Sequence, residues 1–133
     1  MASGNLLGKG RPRNGSKGEE HMKEKDINDA VDYIYSHGIK YAEAKGELTY
    51  LEEFRKSKKA MLMKTAMQNG CKSVASAEME AYADVEYIEL IKGLSVAVEK
   101  AEGLRWGLVS AQARIDVWRS LEASNRNTDR ATM

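Results

Sequence analysis

Apolar residues recur at alternating intervals of three and four along the second half of this chain. The stripe consists of Tyr87, Leu90, Leu94, Ala97, Ala101, Leu104, Leu108, Ala111, Ile115 and Trp118. A heptad period sustained over this length predicts a single long helix whose apolar seam packs against another helix. Asp84 is a suitable N-cap for this helix, which we expect to end near Ser124.

The first half of the chain carries a similar but weaker stripe. Its apolar members are Ile27, Ala30, Ile34, Tyr41, Ala44, Leu48, Leu51 and Leu62. Three polar residues stand in the same register, namely His37, Arg55 and Lys58. We expect a first helix to begin after Asp26 as its N-cap and to end at Asn69–Gly70, where glycine favours a helix C-terminus. Gly38 or Gly46 is expected to interrupt it, because each weakens a helix by about 1 kcal/mol relative to alanine.

A short helix from Val74 to about Ala83 fits between the two long ones, with Ser73 as its N-cap. The predicted fold class is all-α, as a long antiparallel helical hairpin or coiled coil with a short connecting helix. Such an elongated shape has a thin core, so we also expect self-association into an oligomer. An antiparallel dimer satisfies the same pattern, and the sequence does not choose between the two arrangements.

The charges lie in blocks of alternating sign, although the formal net charge is only +1. Residues 26–50 sum to −3 and residues 51–73 to +4, while residues 74–104 sum to −5 and residues 105–133 to +2. Folding the chain back at Gly70 sets each acidic block against a basic one. Complementary charges beside an apolar seam select partner and orientation in coiled coils, which favours the antiparallel arrangement.

The chain is expected to form one helical domain over residues 26–124, between two flexible segments. Residues 1–25 are rich in glycine and in basic and polar residues, which predicts a flexible arm. The pair His21–Met22 also resembles a cloning junction, so the alternative is a vector-derived extension. Residues 125–133 predict a flexible tail.

Composition bears on the compartment more than on the activity. No apolar run approaches the roughly 18 residues that a membrane span needs. The basic N-terminal residues are not followed by the apolar stretch of a secretory signal. One cysteine, Cys71, gives no internal disulfide and no sign of an oxidising compartment. We therefore expect no membrane association and a cytoplasmic location.

The strongest basic cluster in the sequence consists of Arg55, Lys56, Lys58 and Lys59. One hypothesis is that these residues bind the phosphate backbone of a nucleic acid, where each neutralised phosphate releases counterions. The other is that they pair with the acidic block on the opposite helix. The match between the charge blocks favours the second interpretation.

The C-terminal half combines tryptophan with arginine, two residue types enriched in protein-binding hot spots. The candidate partner-binding residues are Trp106, Arg114, Arg119 and Arg126. Trp106 lies off the seam and either contacts a partner or packs on the first helix, whereas Trp118 lies on the seam and is expected in the core. Gly103 and Gly107 form a Gly-x-x-x-Gly step, which either admits another helix closely or is merely tolerated.

The sequence predicts no catalytic, cofactor-binding or metal-binding constellation. Glutamate pairs such as Glu86 and Glu89 lack an opposing base, and neither His21 nor His37 has a cysteine or histidine at metal-ligand spacing. Cys71 has no nearby histidine to activate its thiol. A thin helical hairpin also lacks the enclosed pocket that enzymes use, so we expect a protein that is not an enzyme and needs no cofactor.

Three segments have the most distinctive sequences of the chain, namely Tyr50–Ala60, Glu80–Tyr87 and Leu104–Arg126. On the basis of these segments, roughly residues 26–130 resemble a family of small, uncharacterised bacteriophage proteins. The resemblance implies an accessory protein expressed early and encoded near phage recombination and replication genes. It further implies a role in nucleic-acid metabolism or host defence.

Two main hypotheses follow for the function. The first is a non-enzymatic phage accessory or inhibitor protein that binds a protein partner, of host or phage, in the host cytoplasm. The alternative is a protein that binds nucleic acid directly and assists recombination or replication. A structural component of the virion is a third hypothesis, for which the chain offers no specific mark.

Overall fold

The chain forms three α-helices in the computed structural model, which describes residues 16–132 and their side chains from residue 24 onward. Helix α1 spans Ser16–Gln68, α2 spans Val74–Ala83 and α3 spans Val85–Thr132. The described part of the chain contains no strand, and the predicted all-α class is confirmed. None of its helices has a stretch both long and apolar enough to cross a membrane.

Helix α1 begins at Ser16, well before the start predicted at Asp26. Residues 16–25, which belong to the predicted flexible arm, are therefore helical, and residues 1–15 of that arm lie outside the described residues. This segment is rich in lysine and glutamate, which propagate a helix well. Asp26 is a favourable N-cap, but it does not set the start of α1, because the residues on both sides of it favour a helix.

Two further boundary predictions were wrong in the same direction. Helix α3 continues through the predicted tail to Thr132 rather than ending near Ser124. Helix α1 runs through Gly38 and Gly46 without a break. Once a helix is nucleated, each added residue gains a hydrogen bond. The cost of about 1 kcal/mol for one glycine is small beside that of nucleating a second helix.

The C-terminus of α1 is closed by the predicted glycine. Gly70 has a φ of 110°, in the left-handed region that a residue without a Cβ adopts at no steric cost. The amide of Gly70 donates to the carbonyl of Met67 at 3.3 Å, and the amide of Cys71 donates to the carbonyl of Ala66 at 3.1 Å. This pair of bonds is the Schellman motif, and it reverses the chain into α2.

Helices α2 and α3 are separated by one extended residue, Asp84, with φ −68° and ψ 136°. The Oγ of Ser73 accepts a hydrogen bond from the amide of Ser76 at 3.1 Å and caps α2 as predicted. Asp84 caps α3, since its Oδ1 accepts from the amide of Glu86 at 2.8 Å. The predicted short helix is confirmed, as are Ser73 as its N-cap and Asp84 as the N-cap of α3.

The two predicted stripes form the contact between the long helices. Every member of the α3 stripe and every apolar member of the α1 stripe is buried or half-buried. Ala44 and Leu48 of α1 pack with Ala97 and Ala101 of α3 at the centre of this contact. Leucines flank this centre, namely Leu51, Leu94 and Leu104. The buried hydrophobic residues are alanines apart from Leu48, and such small side chains favour a short distance between helix axes, within the usual range of about 8–10 Å.

The direction of packing follows from the ion pairs between helices. Lys58, late in α1, pairs with Glu86, early in α3. The Nζ of Lys59 lies 3.0 Å from Oε1 of Glu78 on α2. At the other end, Asp29 of α1 and Arg114 of α3 line the same depression. The contacts thus join the late part of α1 to the early part of α3, and the basic block at residues 51–73 pairs with the acidic block that follows it.

The two glycines of the Gly-x-x-x-Gly step have different surroundings. A Cβ at Gly103 would meet nothing within 4 Å, whereas a Cβ at Gly107 would lie 3.1 Å from Cζ and 3.3 Å from Cε1 of Tyr33, with the Tyr33 hydroxyl closer still. The Tyr33 ring is itself stacked on His37, with 3.8 Å between ring centroids. Close approach thus explains Gly107, but the approaching group is a side chain of α1 rather than another backbone.

We expect Gly103→Ala to raise the free energy of unfolding by about 0.5–1 kcal/mol, because the added methyl meets open space in a helix interior. Gly107→Ala is expected to lower it, because the methyl displaces Tyr33 from its stack. Urea unfolding followed by circular dichroism measures both. In a Tyr33→Ala background, Gly107→Ala should recover the gain seen at position 103. An equal gain from both single variants would show that Tyr33 does not pack on Gly107.

Candidate protein-binding groove

An open groove of about 630 Å³ lies between the N-terminal part of α1 and the C-terminal half of α3. We call it the Trp118 groove. Its apolar and small lining residues are Ile27, Ser110, Ala113, Val117, Trp118 and Leu121. The groove is lined by side chains that face outward or sit at the edge of the seam, so it is accessible from solvent.

Helical spacing explains why these residues share one surface. Val117, Trp118 and Leu121 lie within about one turn of α3, and the small side chains of Ser110 and Ala113 sit one turn or more before them. Ile27 reaches the same surface from α1, where it holds the heptad position that faces the end of the α3 seam. In the sequence the preceding positions of that register are Lys23 and Glu20. Ile27 is thus the first apolar member of the α1 stripe, and Trp118 on α3 is half-buried.

A second depression of about 320 Å³ continues the groove toward the middle of the molecule. It shares Ser110 and Arg114 with the Trp118 groove and adds Ala30, Tyr33 and Gly107. From residue 107 to residue 121, α3 rises by about 21 Å. The combined surface therefore matches the length of a helix of about four turns.

Charged residues border this apolar surface on both helices. Asp26 and Asp29 come from α1, and Arg114 from α3 lies against both depressions. Side chains from the acidic block of α1 and from the basic block of α3 thus line the same surface. Charges at the rim of an apolar groove add specificity and association rate more than affinity.

The four predicted partner-binding residues do not form one surface. Only Arg114 lines the Trp118 groove. Trp106 is 59% exposed and lies on the outward side of α3, where the guanidinium of Arg105 sits 4.7 Å from the centroid of its indole. Arg119 lies about 140° around the helix from Trp106, and Arg126 lies about 30 Å from it along the axis. Trp106 is therefore exposed rather than packed on α1. Of its two predicted roles, contact with a partner remains a prediction.

The predicted basic cluster lies among carboxylates. Lys56 pairs with Glu53 on its own helix at 3.1 Å, while Lys58 and Lys59 pair across helices with Glu86 and Glu78. The fourth member, Arg55, is half-buried on the seam. Three of the four cations thus already have a counter-charge, which supports the interpretation that this cluster joins the helices.

Lys59 is the most highly connected of these cations. Its Nζ donates to the hydroxyl of Tyr82 at 2.7 Å and to Oε1 of Glu78 at 3.0 Å, and it lies 4.6 Å from the centroid of the Tyr82 ring. The hydrogen bonds to Tyr82 and Glu78 raise the pKa of Lys59. The hydrogen bond from Lys59 lowers the pKa of the Glu78 carboxyl. Both groups stay charged at neutral pH, and their ion pair joins α2 to α1.

The polar side chains of the described part of the chain lie at or near its surface. No polar or charged residue among them is buried, and no three of their histidine, cysteine, aspartate or glutamate side chains cluster closely enough to hold a metal ion. Cys71 is a half-buried free thiol in the turn after α1. The Trp118 groove therefore combines an apolar surface with charges at its rim.

Sequence reasoning missed the residues that make the groove, above all Ile27, Val117 and Leu121. Val117 and Leu121 flank Trp118 at helical spacing, and that was the available signal. Their common surface becomes evident only when α1 is placed against α3, because the spacing within one helix does not fix the register of its neighbour.

In comparisons with known proteins, no family model matches the chain, and no curated protein or solved structure is significantly similar to it.

Proposed function

We propose that this chain is a non-enzymatic phage accessory or inhibitor protein that acts by binding a protein partner. The partner belongs to nucleic-acid metabolism or host defence in the host cytoplasm. The phage origin and this setting rest on the resemblance over residues 26–130. The mode of action rests on a separate observation, which is the open apolar Trp118 groove with charges at its rim.

The groove is suited to an amphipathic helix of the partner. It is long, open and lined by aliphatic, aromatic and small side chains, as in complexes where a helix docks its apolar face into a groove. Apolar residues of the partner at helical spacing would contact Val117, Trp118 and Leu121. Arg114 and Asp26 would select the partner's charges along the two edges.

The scaffold of this function is proposed to be an antiparallel helical hairpin with a coiled-coil seam that associates with a second copy. The alanine-rich contact between α1 and α3 and the matched charge blocks support the hairpin. Exposed apolar side chains on both long helices, among them Tyr35 and Val96, support association with another chain.

Direct nucleic-acid binding, the alternative function, receives less support from the geometry. Its best candidates, Arg55, Lys56, Lys58 and Lys59, lie on the seam or beside carboxylates. A phosphate backbone would have to compete with Glu53, Glu78 and Glu86 for the three lysines.

The proposed function is tested by a photo-crosslinking residue, benzoylphenylalanine, placed at Val117 in bacterial cells. We expect a discrete adduct with another protein, because this exposed position borders the groove. Leu121→Glu in the same chain should reduce the adduct at least about tenfold, since a carboxylate placed against an apolar partner face is costly. The matched control is the same probe at Val96, an exposed valine of α3 away from the groove.

Three results would contradict this function. They are the absence of any adduct at position 117, an adduct formed equally at position 96, and an adduct insensitive to Leu121→Glu. A change in molar mass by light scattering on adding a short DNA duplex at low salt would instead favour the nucleic-acid alternative.

A further inference from the structure

Helix α1 carries a second apolar face that no other described part of the chain covers. Val31, Tyr35, Ile39 and Tyr50 are each at least half exposed, with Tyr35 at 80%. With about 100° of rotation per residue, these side chains lie on one side of α1, roughly 140° from the seam that packs on α3. We call this surface the outer face of α1.

The outer face contains both a ridge and a furrow. Val31, Tyr35 and Ile39 follow one another at intervals of four, and Gly38, Ala42 and Gly46 form the neighbouring row at the same interval. A Cβ at Gly38 or Gly46 would meet nothing within 4 Å, so contacts among the described residues do not explain these glycines. Rows spaced by four are the ridges that interlock when two helices cross at about −50°.

The ridge and the furrow of the outer face have complementary shapes, so the face can pack against a second copy of itself. The ridge of Tyr35 and Ile39 fits the furrow of Gly38, Ala42 and Gly46 on an identical helix. A two-fold axis repeats that fit in both directions, as in an isologous interface. A partner of unrelated sequence has no reason to match both rows at once.

Charge and area point to the same occupant. Exposed Glu43 and Lys45 lie on opposite borders of the outer face, beside Ala42. With the two α1 helices parallel about the two-fold axis, each Glu43 lies next to the partner copy's basic border. The four large side chains offer on the order of 500 Å² per copy, the size of the apolar patches that mark interaction sites on protein surfaces.

We propose that the outer face of α1 binds the same face of a second copy, with the two α1 helices crossing near Ala42. This names the surface for the self-association proposed above and rests on it. It leaves the Trp118 groove free, because the groove lies between α1 and α3 on another side of the molecule. Each dimer then presents two grooves.

Light scattering of the full chain, together with circular dichroism, tests the proposal. We expect the unaltered chain to have the mass of a dimer, and Ile39→Glu to have half that mass with the same helix content. Gly46→Leu is the second variant. Its side chain has open space in the monomer and favours the helix, but in the dimer it would fill the furrow. The matched control, Val96→Glu on α3, should remain dimeric.

Each other outcome overturns a defined part of the proposal. A dimer that persists in both Ile39→Glu and Gly46→Leu excludes the outer face while self-association stands. Dissociation of Val96→Glu as well shows that the effect is not specific to this face. A monomeric unaltered chain excludes self-association altogether, and the crosslinking test of partner binding at Val117 is unaffected by that result.

Discussion

Replacing Leu48 with alanine is expected to lower the free energy of unfolding by about 2–5 kcal/mol. Leu48 is 8% exposed and is the one large side chain among the buried hydrophobic residues. Its neighbours in the core, Ala44, Ala97 and Ala101, are too small to move into the space that it leaves. Alanine favours the helix at least as well as leucine, so the loss measures packing rather than helix propensity. Urea unfolding followed by circular dichroism gives the value.

Met61→Ala is the control for this experiment. Met61 lies on the same helix and has a side chain of similar size, but it is half exposed. We expect its removal to cost less than about 1 kcal/mol. Equal losses at positions 48 and 61 would mean that the contact between α1 and α3 is not the centre of stability.

Replacing Ala101 with leucine is expected to destabilise the fold by about 1–3 kcal/mol, although leucine is larger and more apolar. Ala101 is 2% exposed and packs directly against α1. The three added carbons have no space, so the helices must separate and neighbouring contacts weaken with them. Because alanine sets the spacing along the whole contact, one large residue affects several layers. Thermal unfolding shows the loss as a lower Tm.

Ala60→Leu provides the comparison for Ala101→Leu. Ala60 is exposed on α1, and leucine and alanine have similar helix propensities. We expect a change within about 0.5 kcal/mol. A gain in stability from Ala101→Leu would overturn the close approach of the helices, since it would show room at the contact.

The seam between α1 and α3 was predictable from the sequence, whereas the burial of Ala77 and Ala81 on α2 was not. The heptad register identifies which side of each helix is buried, and Gly70, Ser73 and Asp84 identify the turns by local chemistry. The ends of the helices were not predictable. Capping preference is a local quantity of about 1 kcal/mol, whereas the extent of a long helix depends on cooperative propagation through residues such as Gly38.

The candidate site was predictable only in part. Tryptophan and arginine drew attention to the correct half of α3, and Arg114 does line the groove. Trp106 and Arg119 were grouped by composition although helical geometry sets them on different sides. Ile27 was predicted as a member of the α1 stripe but not as a groove residue, because its place in the groove depends on which residues of α3 lie next to it. A site formed between two helices requires their register, and composition does not contain it.

The uninterrupted course of α1 has a consequence for how the molecule occupies space. From Ile27 in the Trp118 groove to Gln68 before the reversal at Gly70, the helix rises by about 60 Å. The groove and the reversal are thus held apart by one continuous helix. Helix α1 has the geometry of a rigid spacer, with the Trp118 groove at one end and the turn at Gly70 at the other.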